Sequence, residues 1–596
     1  MPYRRRLPGV ALLAWCLWGA ATAEARPEPA TALAGLDAVI EQALQDQKVP
    51  GVAVGVIVGD EVVLLKGYGK RDVKKGLPMT PDTIMPIASV TKQFTVAALG
   101  TLVRQGKLDW DKPARDYLPD LRLHDDYATL HATPRDLVTH RIGLPRHDRL
   151  WFGSSLSREE IYGKLRHLEF SRDIRTRFQY NNLMYMTAGF LGGRVAGSTW
   201  EELVRRSIFE PLGMRRSNFS LVDVAGDPDH AQGYQLDEKR QLVEDRFESV
   251  EAMGPAGSIN STARDLVNFV RMMLSGGKFE GRQVLLESDV QAMMQPLMPA
   301  GPAFFPEFGF ASYGMGLSVE SYRGHETAQH GGDVPGLAAF VLMVPKERIG
   351  VVVLANRSGA PIRDGLPYEI LDRLLGLPSA DMIRRNAELE TKAFASEDAA
   401  KAEGATGRKP DTRPAHPLAE YAGDYTHPGY GDARVGLQGE RLMLTYNGFT
   451  TPLDHWHYEV FRAPENAANR LERLRVQFET DLDGEVSSIA LPFESNVQPI
   501  RFTRQPPREM LDPAFLKQLT GTYDMAGVDV EIALREDNVL QFVVLGRPND
   551  LVPVRGTTFK VKDVTGVTIE FLRGADGKVD RFVRHGGNDM IAQRKK

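Results

Sequence analysis

The stretch Ile87-Ala-Ser89-Val-Thr-Lys92-Gln-Phe94 opens an apolar run with the spacing of a helix. Apolar residues recur three and four positions apart between residues 90 and 105, and Gly106 ends the run. The pattern predicts a helix over residues 90–105, with Ser89 at its N-terminus and Lys92 one turn later on the same face. A serine hydroxyl becomes a nucleophile when a neighbouring group takes its proton, and a lysine amine can do so if burial lowers its pKa.

The same four-residue pattern occurs again as Ser275-Gly-Gly-Lys278, so its spacing alone is weak evidence. That second copy follows the end of a predicted helix and contains two glycines, which leave its side chains unfixed. Ser89, in contrast, begins a helix. The alternative interpretation of Ser89 is an N-cap serine followed by a solvated lysine, and other motifs must decide between the two.

Tyr180-Asn181-Asn182 is the only Tyr-x-Asn in the chain, and it precedes a second predicted apolar helix. A phenolate at Tyr180, close to Ser89 and Lys92, could act as general base in acylation and then protonate the leaving group. Asn182 could hold Lys92 and a substrate amide. The alternative is a core tyrosine followed by a capping asparagine.

A third motif, Ala328-Gln-His330-Gly331-Gly332-Asp333, reads as a strand that ends in glycines. Such glycines let a substrate backbone approach closely, and the basic residue before them can contact a carboxylate or the tyrosine oxygen. If the pKa of His330 is unshifted, its charge changes near neutral pH. The motif therefore predicts a pH-dependent preference, between pH 5 and about pH 8, for substrates that bear a carboxylate.

In the order Ser89-x-x-Lys92, Tyr180-x-Asn182 and His330-x-Gly332, the chain resembles the superfamily of serine β-lactamases, penicillin-binding proteins and esterases. Tyr-x-Asn is similar to the class C type, and His-x-Gly stands where Lys-Thr-Gly is more usual. The resemblance covers roughly residues 30–376, although Arg141-Ile142 intrudes where the family often has Thr-Ser-Gly-Leu-Pro. Further matching landmarks are residues 133–140, 143–145, 255–265 and 313–316.

The resemblance implies that Ser89 attacks a carbonyl while Lys92 and Tyr180 share its proton. It also implies that the backbone N–H groups of Ser89 and Asp333 stabilise the oxyanion, and that water releases the resulting acyl-enzyme. The expected catalytic residues are Ser89, Lys92 and Tyr180, and the expected substrate-binding residues are Asn182, His330, Gly332 and Asp333.

Strand patterns occur at both ends of the region that carries the motifs, and the segment between them, residues 89–274, is mostly helical. We therefore predict an α+β fold in which distant segments complete one antiparallel sheet, flanked by helices and lying beside a helical region, as in the β-lactamase and transpeptidase folds. The active site would lie in the cleft between them. The strands are expected at residues 51–58, 62–68, 313–320, 327–330, 337–344 and 349–354, and a closing helix at 361–375.

The last third of the chain repeats itself. Leu418-Ala-Glu-Tyr421-Ala-Gly423-Asp-Tyr425 resembles Leu516-Lys-Gln-Leu519-Thr-Gly521-Thr-Tyr523, and each segment opens a series of short alternating strands. The pair is similar to the lipocalin-like tails of D-aminopeptidases. The predicted domains are the hydrolase domain at 24–378, a helical segment and linker at 379–415, and small all-β barrels at 416–505 and 506–596.

The N-terminus predicts export to the periplasm or secretion. Arg4-Arg5-Arg6, a short apolar run and Ala21-Thr-Ala23 have the order of a signal peptide over residues 1–23, and the run is too short to span a bilayer. The only cysteine, Cys16, lies inside it, so the mature chain is expected to form no disulfide. A lipoprotein signal ending at Cys16 is the alternative, but Trp15 is bulky for that cleavage.

Composition indicates a soluble globular protein, with 42% hydrophobic residues, 25% charged residues and a net charge of −5. This balance argues against nucleic-acid binding, and no membrane-spanning segment is expected in the mature chain. His455-Trp-His457 places two imidazoles on one face of a strand, which is a possible metal pair. With no third ligand in the pattern, barrel packing is the preferred interpretation, and the protein is expected to need no metal and no cofactor.

These motifs predict a serine hydrolase that acts through an acyl-enzyme on an amide or ester. The expected substrate is a small molecule or peptide, either a D-amino-acid peptide, including one derived from peptidoglycan, or a small ester. Cleavage would then be of the D-aminopeptidase or DD-carboxypeptidase type. One alternative is a β-lactamase, against which His330 and the long C-terminal extension weigh. The other is a penicillin or peptidoglycan sensor that is acylated without turnover.

Overall fold

The computed structural model describes residues 26–245, 249–402, 407–465 and 470–595. Within these ranges, nine strands form one antiparallel sheet in the order β4-β5-β6-β7-β8-β9-β1-β2-β3. The strands are β1 (Gly51–Val58), β2 (Glu61–Asp72), β3 (Leu77–Pro78), β4 (Met298–Gly301), β5 (Phe308–Tyr313), β6 (Ser318–Tyr322), β7 (His325–Val334), β8 (Leu337–Val344) and β9 (Ile349–Ala355). The predicted signal peptide, with Cys16, lies outside the described residues.

The helices that carry the argument below are α1 (Leu36–Asp46), α2 (Thr91–Arg104), α3 (Asn182–Ala196), α4 (Ala263–Leu274), α5 (Pro361–Leu375) and α6 (Met382–Ala402). Shorter α-helices lie at Pro29–Ala32, Asp126–His131, Pro134–Val138, Arg158–Lys164, Trp200–Val204, Leu221–Gly226, Gly254–Gly257, Glu287–Met293, Leu418–Tyr421 and Pro513–Leu519. Most helices of the hydrolase region fall between the two groups of strands, as the sequence predicts.

β1 has an uninterrupted apolar sequence because both faces of the sheet are covered. Val54 and its alternate neighbours contact α1 and α5 on one face. Ile57 and Ala53 contact the helical region on the other face. β1 pairs with β9 on one side and with β2 on the other, so segments almost three hundred residues apart complete the sheet. The predicted α+β fold is therefore confirmed.

One predicted strand is wrong in detail. The pattern over residues 313–320 was expected to form a single strand, but β5 ends at Tyr313 and β6 begins at Ser318. Gly316 has φ +80, a conformation that suits glycine, and Gly314 leaves no room for a Cβ because it lies against the Met293 carbonyl. The two glycines therefore make a turn, which packs on the first turn of α2 near the Lys92 carbonyl.

The C-terminal third forms two closed barrels of eight antiparallel strands each, which confirms the prediction of two small all-β barrels. Strands of the first barrel are Gly423–His427, Gly431–Gln438, Arg441–Tyr446, Phe449–His457, Val460–Arg462, Arg475–Thr480, Val486–Leu491 and Ile500–Arg504. Strands of the second barrel are Gly521–Met525, Val528–Leu534, Leu540–Val544, Arg547–Arg555, Thr558–Val561, Thr568–Arg573, Val579–His585 and Met590–Arg594.

The sequence repeat corresponds to a repeated set of contacts at the barrel starts. The Tyr425 hydroxyl donates to the Tyr421 carbonyl at 2.8 Å, and the Tyr523 hydroxyl donates to the Leu519 carbonyl at 2.8 Å. In each barrel an arginine from the last strand also lies against the glycine between these residues. The repeated residues therefore make the same contacts in both barrels, at the place where the first strand meets the last one.

The two barrels relate differently to the hydrolase domain. The apolar core of the first barrel is continuous with the core of the helical region. The second barrel has a separate core. Ion pairs join it to the rim of the first barrel, from Lys560 to Asp483 at 3.1 Å and from Arg555 to Glu485 at 3.2 Å. The first barrel is thus integrated with the hydrolase domain, whereas the second is attached to the first.

Candidate active site

Ser89 lies in a single 3-10 turn, Ala88–Val90, that leads directly into α2. The predicted helix over residues 90–105 is therefore confirmed, with this turn added before it. Ala88 has φ +48, which is uncommon for a residue with a side chain and places strain immediately before the candidate nucleophile. Ser89 is partly exposed, so its hydroxyl can be reached from the cleft.

Lys92 is fully buried behind Ser89, and three acceptor atoms surround its Nζ. These are Ser89 Oγ at 3.0 Å, Asn182 Oδ1 at 2.9 Å and the Ala256 carbonyl at 2.8 Å. Burial lowers the pKa of Lys92 well below its ordinary value, and the nearby Arg146 guanidinium lowers it further. The amine is therefore poised to lose its charge.

The geometry fixes what a neutral Lys92 can do. The Ala256 carbonyl can only accept hydrogen bonds, and so can the Asn182 amide oxygen. The two N–H bonds of a neutral amine must therefore point at these two atoms, which leaves the nitrogen lone pair directed at Ser89 Oγ. A lone pair 3.0 Å from the hydroxyl is in position to accept its proton.

Tyr180 lies beside this pair, with Lys92 Nζ 4.9 Å from the centre of its ring. Burial raises the pKa of Tyr180 well above its ordinary value, and its contact with Ser89 only partly opposes that increase. This shift favours a neutral phenol in the resting site over the phenolate that the sequence suggested, and the role of Tyr180 in acylation stays a prediction. A phenol next to the nucleophile can instead pass a proton to a leaving group.

Asn182 is the first residue of α3, and Asn181 caps that helix by accepting a hydrogen bond from the Met184 N–H at 2.9 Å. The Asn182 amide is fixed at both ends. Its oxygen accepts from Lys92, and its nitrogen donates to Asp148 Oδ1 at 3.2 Å. The structure therefore brings Asn182 together with Lys92, as the sequence predicts, but an additional carboxylate holds it there.

His330 lies on β7 and differs most from its expected state. The imidazole is almost completely buried, and burial together with Lys92 lowers its pKa from 6.5 to about 3. Its Nδ1–H donates to the Gly331 carbonyl at 2.6 Å, so its Nε2 accepts from the Tyr313 hydroxyl at 3.0 Å. A neutral ring held in this way does not change charge between pH 5 and about pH 8, so His330 gives no support to the predicted pH-dependent preference, which stays a prediction.

We expect the imidazole nitrogens of His330 to keep their neutral-ring NMR shifts down to pH 5. The pKa of His330 is about 3 in the folded chain and 6.5 in the unfolded chain. Between these two pH values only the unfolded chain binds a proton at His330. The folded protein should therefore lose stability as the pH falls below about 6.5. His330→Gln, which has no ionisable group, should assign the signals and show a weaker loss. Titration of the assigned signals near pH 6.5 would contradict the expectation.

Gly332 and Asp333 lie at the end of β7, against the turn that carries Ser89. A Cβ on Gly332 would lie 2.3 Å from the Ile87 carbonyl oxygen and 3.0 Å from Ser89 N. The sequence predicted that a substrate backbone would approach these glycines closely. In the structure, the turn that carries Ser89 makes this close approach at Gly332 instead. The Asp333 carboxylate contacts Arg363 and accepts from the Gly359 N–H at 3.2 Å, which leaves its backbone N–H as the group for the predicted oxyanion role.

Sequence reasoning missed the loop of residues 146–153. Asp148 in this loop accepts from the Asn182 amide and pairs with Arg146 at 2.6 Å. The Arg146 guanidinium in turn lies 5.2 Å from the centre of the Tyr180 ring. His147, between them, is buried with φ +48. The only signal for this loop was its position after the Gly-Leu-Pro landmark, because its partners come from a distant domain.

The first barrel holds this loop in place. The His147 ring accepts from the Tyr430 hydroxyl at 2.7 Å and donates to the Glu169 carbonyl at 2.9 Å. The Asn447 amide nitrogen contacts the carbonyls of Arg149 at 2.9 Å and Leu150 at 3.1 Å. Since the same loop carries Asp148, the barrel supports the position of Asn182 from outside the hydrolase domain.

Replacing Asn447 by glycine is expected to lower kcat/KM about three- to tenfold through the loss of loop support, because each lost hydrogen bond contributes about 1 kcal/mol. Glycine is the appropriate replacement because Asn447 has φ +46, so its backbone conformation is retained. Asn538→Gly is the matched control, since Asn538 has φ +62 but lies in the second barrel. Equal effects of the two substitutions on steady-state kinetics would argue against the role of the loop.

In the structure, His455 and His457 each have one ring nitrogen in a hydrogen bond to the backbone. His455 Nε2 is hydrogen-bonded to the Tyr458 carbonyl at 2.9 Å, and His457 Nδ1 accepts from the Lys409 N–H at 3.3 Å. Across the described ranges, no group of three or more His, Cys, Asp or Glu side chains is arranged to hold a metal ion. In the same ranges, every helix is too short or too polar to cross a bilayer.

Comparison with protein families gives two matches. A sequence profile described as Beta-lactamase matches residues 36–375, which is more than half of the 596 residues. A profile described as Domain of unknown function (DUF3471) matches residues 407–504. The first match contains every candidate catalytic and substrate-binding residue, and the second contains all strands of the first barrel.

Two of the similar proteins are named as a hydrolase and as a peptidase. The chain is 29% identical over 432 residues to an unguisins hydrolase of Aspergillus violaceofuscus, which covers 67% of this chain and 75% of that protein. It is 26% identical over 360 residues to a D-aminopeptidase of Brucella anthropi. That alignment covers 59% of this chain and 64% of that protein. Among solved structures, an octameric penicillin-binding protein homologue from Pyrococcus abyssi aligns with TM-score 0.53 and 25% identity, over 79% of this chain and 99% of that one.

Proposed function

Because the chain belongs to the beta-lactamase family, we propose that it hydrolyses an amide or ester through an acyl-enzyme on Ser89. The observation that carries this proposal is the environment of Lys92. A buried amine with a lowered pKa, two acceptor partners and a lone pair directed at Ser89 Oγ is the arrangement that activates a serine nucleophile.

The geometry supports a sequence of proton transfers. Neutral Lys92 accepts the proton of Ser89 as Oγ forms a bond to the substrate carbonyl, and the carbonyl oxygen becomes an oxyanion. The backbone N–H groups of Ser89 and Asp333 donate to this oxyanion, which typically contributes about 3 to 4 kcal/mol per donor. Tyr180 then gives its proton to the leaving group as the carbonyl reforms and receives one from Lys92. A water molecule then attacks the carbonyl of the acyl-enzyme through the same sequence of proton transfers, and Ser89 is released.

For the substrate we propose a D-amino-acid peptide or a small ester, cleaved by an exported enzyme with a class C type Tyr-x-Asn motif. Support for a peptide comes from the named activities of two relatives, a D-aminopeptidase and an unguisins hydrolase. Support for export comes from the order of charged, apolar and small residues in the first 23 positions. β-Lactam hydrolysis uses the same acylation chemistry and is the alternative.

Intact-mass spectrometry after exposure to a penicillin, with Ser89→Ala as control, tests the nucleophile. An adduct that maps to Ser89 and decays with time supports a hydrolytic cycle, and a persistent adduct favours a sensor. Turnover of p-nitroanilides of D- and L-alanine, followed in parallel, tests the substrate class. Ser89-dependent cleavage of the D-anilide is expected. Adducts or cleavage that survive in Ser89→Ala would contradict the proposal.

A further inference from the structure

A cavity of about 330 Å³ opens next to Tyr180, and no role has been given to most of the residues that line it. Tyr180 belongs both to this lining and to the catalytic cluster, which places the cavity next to the candidate active site. Its lining residues are Pro145, Arg146, Arg172, Arg177, Phe178, Gln179, Tyr180 and Asn496. Three of these are arginines and none is acidic, although the whole chain carries a net charge of −5.

Two carboxylates in this part of the domain are already paired with arginines, and one of these arginines, Arg146, lines the cavity. Asp136 is fully buried and contacts both Arg141 and Arg175 at 2.6 Å. Asp148 pairs with Arg146 at 2.6 Å. Among the described residues, the Arg172 and Arg177 side chains have no carboxylate partner within ion-pair distance. Their positive charges are therefore available to a ligand.

One wall of the cavity is fixed by the first barrel. Asn496 lies next to Glu494, whose Oε1 accepts from the Asn496 backbone N–H at 3.1 Å. The other oxygen of Glu494 accepts from the His147 N–H at 3.1 Å. Glu494 thus ties the barrel loop to the loop that carries Arg146, and its carboxylate is held beside the cavity by backbone N–H groups.

We propose that this cavity binds a carboxylate carried by the substrate, at a distance from the bond that is cleaved. Guanidinium groups match the planar geometry of a carboxylate and bind it with two parallel hydrogen bonds. This inference rests on the proposed acylation of Ser89 and narrows the substrate class to acidic amides or esters.

Two pairs of esters test the inference on the intact chain. Mono-p-nitrophenyl succinate is compared with its methyl ester to place the carboxylate on the acyl part. 4-Carboxyphenyl butyrate is compared with its methyl ester to place it on the leaving group. For each pair the ratio of kcat/KM, carboxylate over methyl ester, is measured in the wild type and in Arg172→Gln/Arg177→Gln. Arg166→Gln is the matched control, because Arg166 is exposed and does not line the cavity.

In the wild type, kcat/KM should be higher for the carboxylate ester than for the methyl ester in one of the pairs. In the double variant, the ratio of these two kcat/KM values should be about tenfold lower. The control should keep it, and added salt should weaken it in the wild type, because charges near the surface are screened. Equal rates within both pairs, or a preference that the double variant retains, would overturn the inference alone if Ser89 still hydrolyses the methyl esters. Absence of any Ser89-dependent hydrolysis would overturn the proposed function, and this inference with it.

Discussion

Replacing Lys92 by methionine is expected to slow acylation about 10³-fold, whereas replacing Ser89 by alanine should abolish it. The substitution removes the buried amine that faces Ser89 Oγ and leaves a side chain of similar length. Without that base, the serine hydroxyl keeps its proton at neutral pH and remains a weak nucleophile. Stopped-flow measurement of p-nitrophenol release from a p-nitrophenyl ester gives the acylation rate directly.

The pH profile gives this expectation a second test. In the wild type, kcat/KM should rise with pH through the lowered pKa of Lys92, because the deprotonated amine is the active form. That rise should be absent in Lys92→Met. Lys107→Met is the matched control, since Lys107 is an exposed lysine just beyond the end of α2. A Lys92→Met enzyme within about tenfold of the wild type would show that another group takes the proton.

Replacing Gly332 by alanine should lower kcat about 10²- to 10³-fold, because it disturbs the predicted oxyanion site. The new Cβ would lie 2.3 Å from the Ile87 carbonyl oxygen, and this backbone atom cannot rotate away as a side chain could. β7 must therefore move away from the turn that carries Ser89. That movement displaces the Asp333 N–H relative to the Ser89 N–H, and donors at an oxyanion are sensitive to small displacements.

Gly331→Ala is the matched control for this prediction. A Cβ at Gly331 would lie 3.4 Å from Phe340 Cδ2 and 3.5 Å from Arg363 Nη1, both of which are side-chain atoms that can adjust. Steady-state kinetics of the two variants should be compared after circular dichroism and thermal melting have shown that both are folded. If the two alanines reduce kcat equally, the close approach of Gly332 to the turn is not what positions the site.

Much of the fold could be predicted because its signals are local. The apolar run of β1 indicated a strand, and the Leu418 and Leu516 repeats indicated two similar barrels. The three motifs also lie together at the end of β7 and the start of α2, although they are far apart in sequence. Their roles in catalysis stay predictions that the experiments above can test.

The protonation states could not be predicted, because they depend on burial that no short motif encodes. The sequence shows a histidine before Gly331-Gly332, but not that Tyr313 and the Gly331 carbonyl hold its ring in a dry site. The expectation that Tyr180 is a phenolate likewise took no account of the burial of its side chain. The loop around Asp148 was missed because its support comes from Asn447, about three hundred residues later.

The separate core of the second barrel has a consequence for the shape of the protein in solution. Its attachment to the first barrel includes Lys560 and Arg555, whose partners are partly exposed carboxylates. Such ion pairs weaken as the Debye length shortens, from about 10 Å at 0.1 M salt to about 3 Å at 1 M. We expect the segment after Gln505, whose N–H donates to the Asp424 carbonyl of the first barrel, to act as a hinge at high salt, so that the sedimentation coefficient falls with added salt while the hydrolase half keeps its structure. The position of the second barrel is thus expected to depend on salt, whereas the first barrel shares its apolar core with the hydrolase domain and should stay in place.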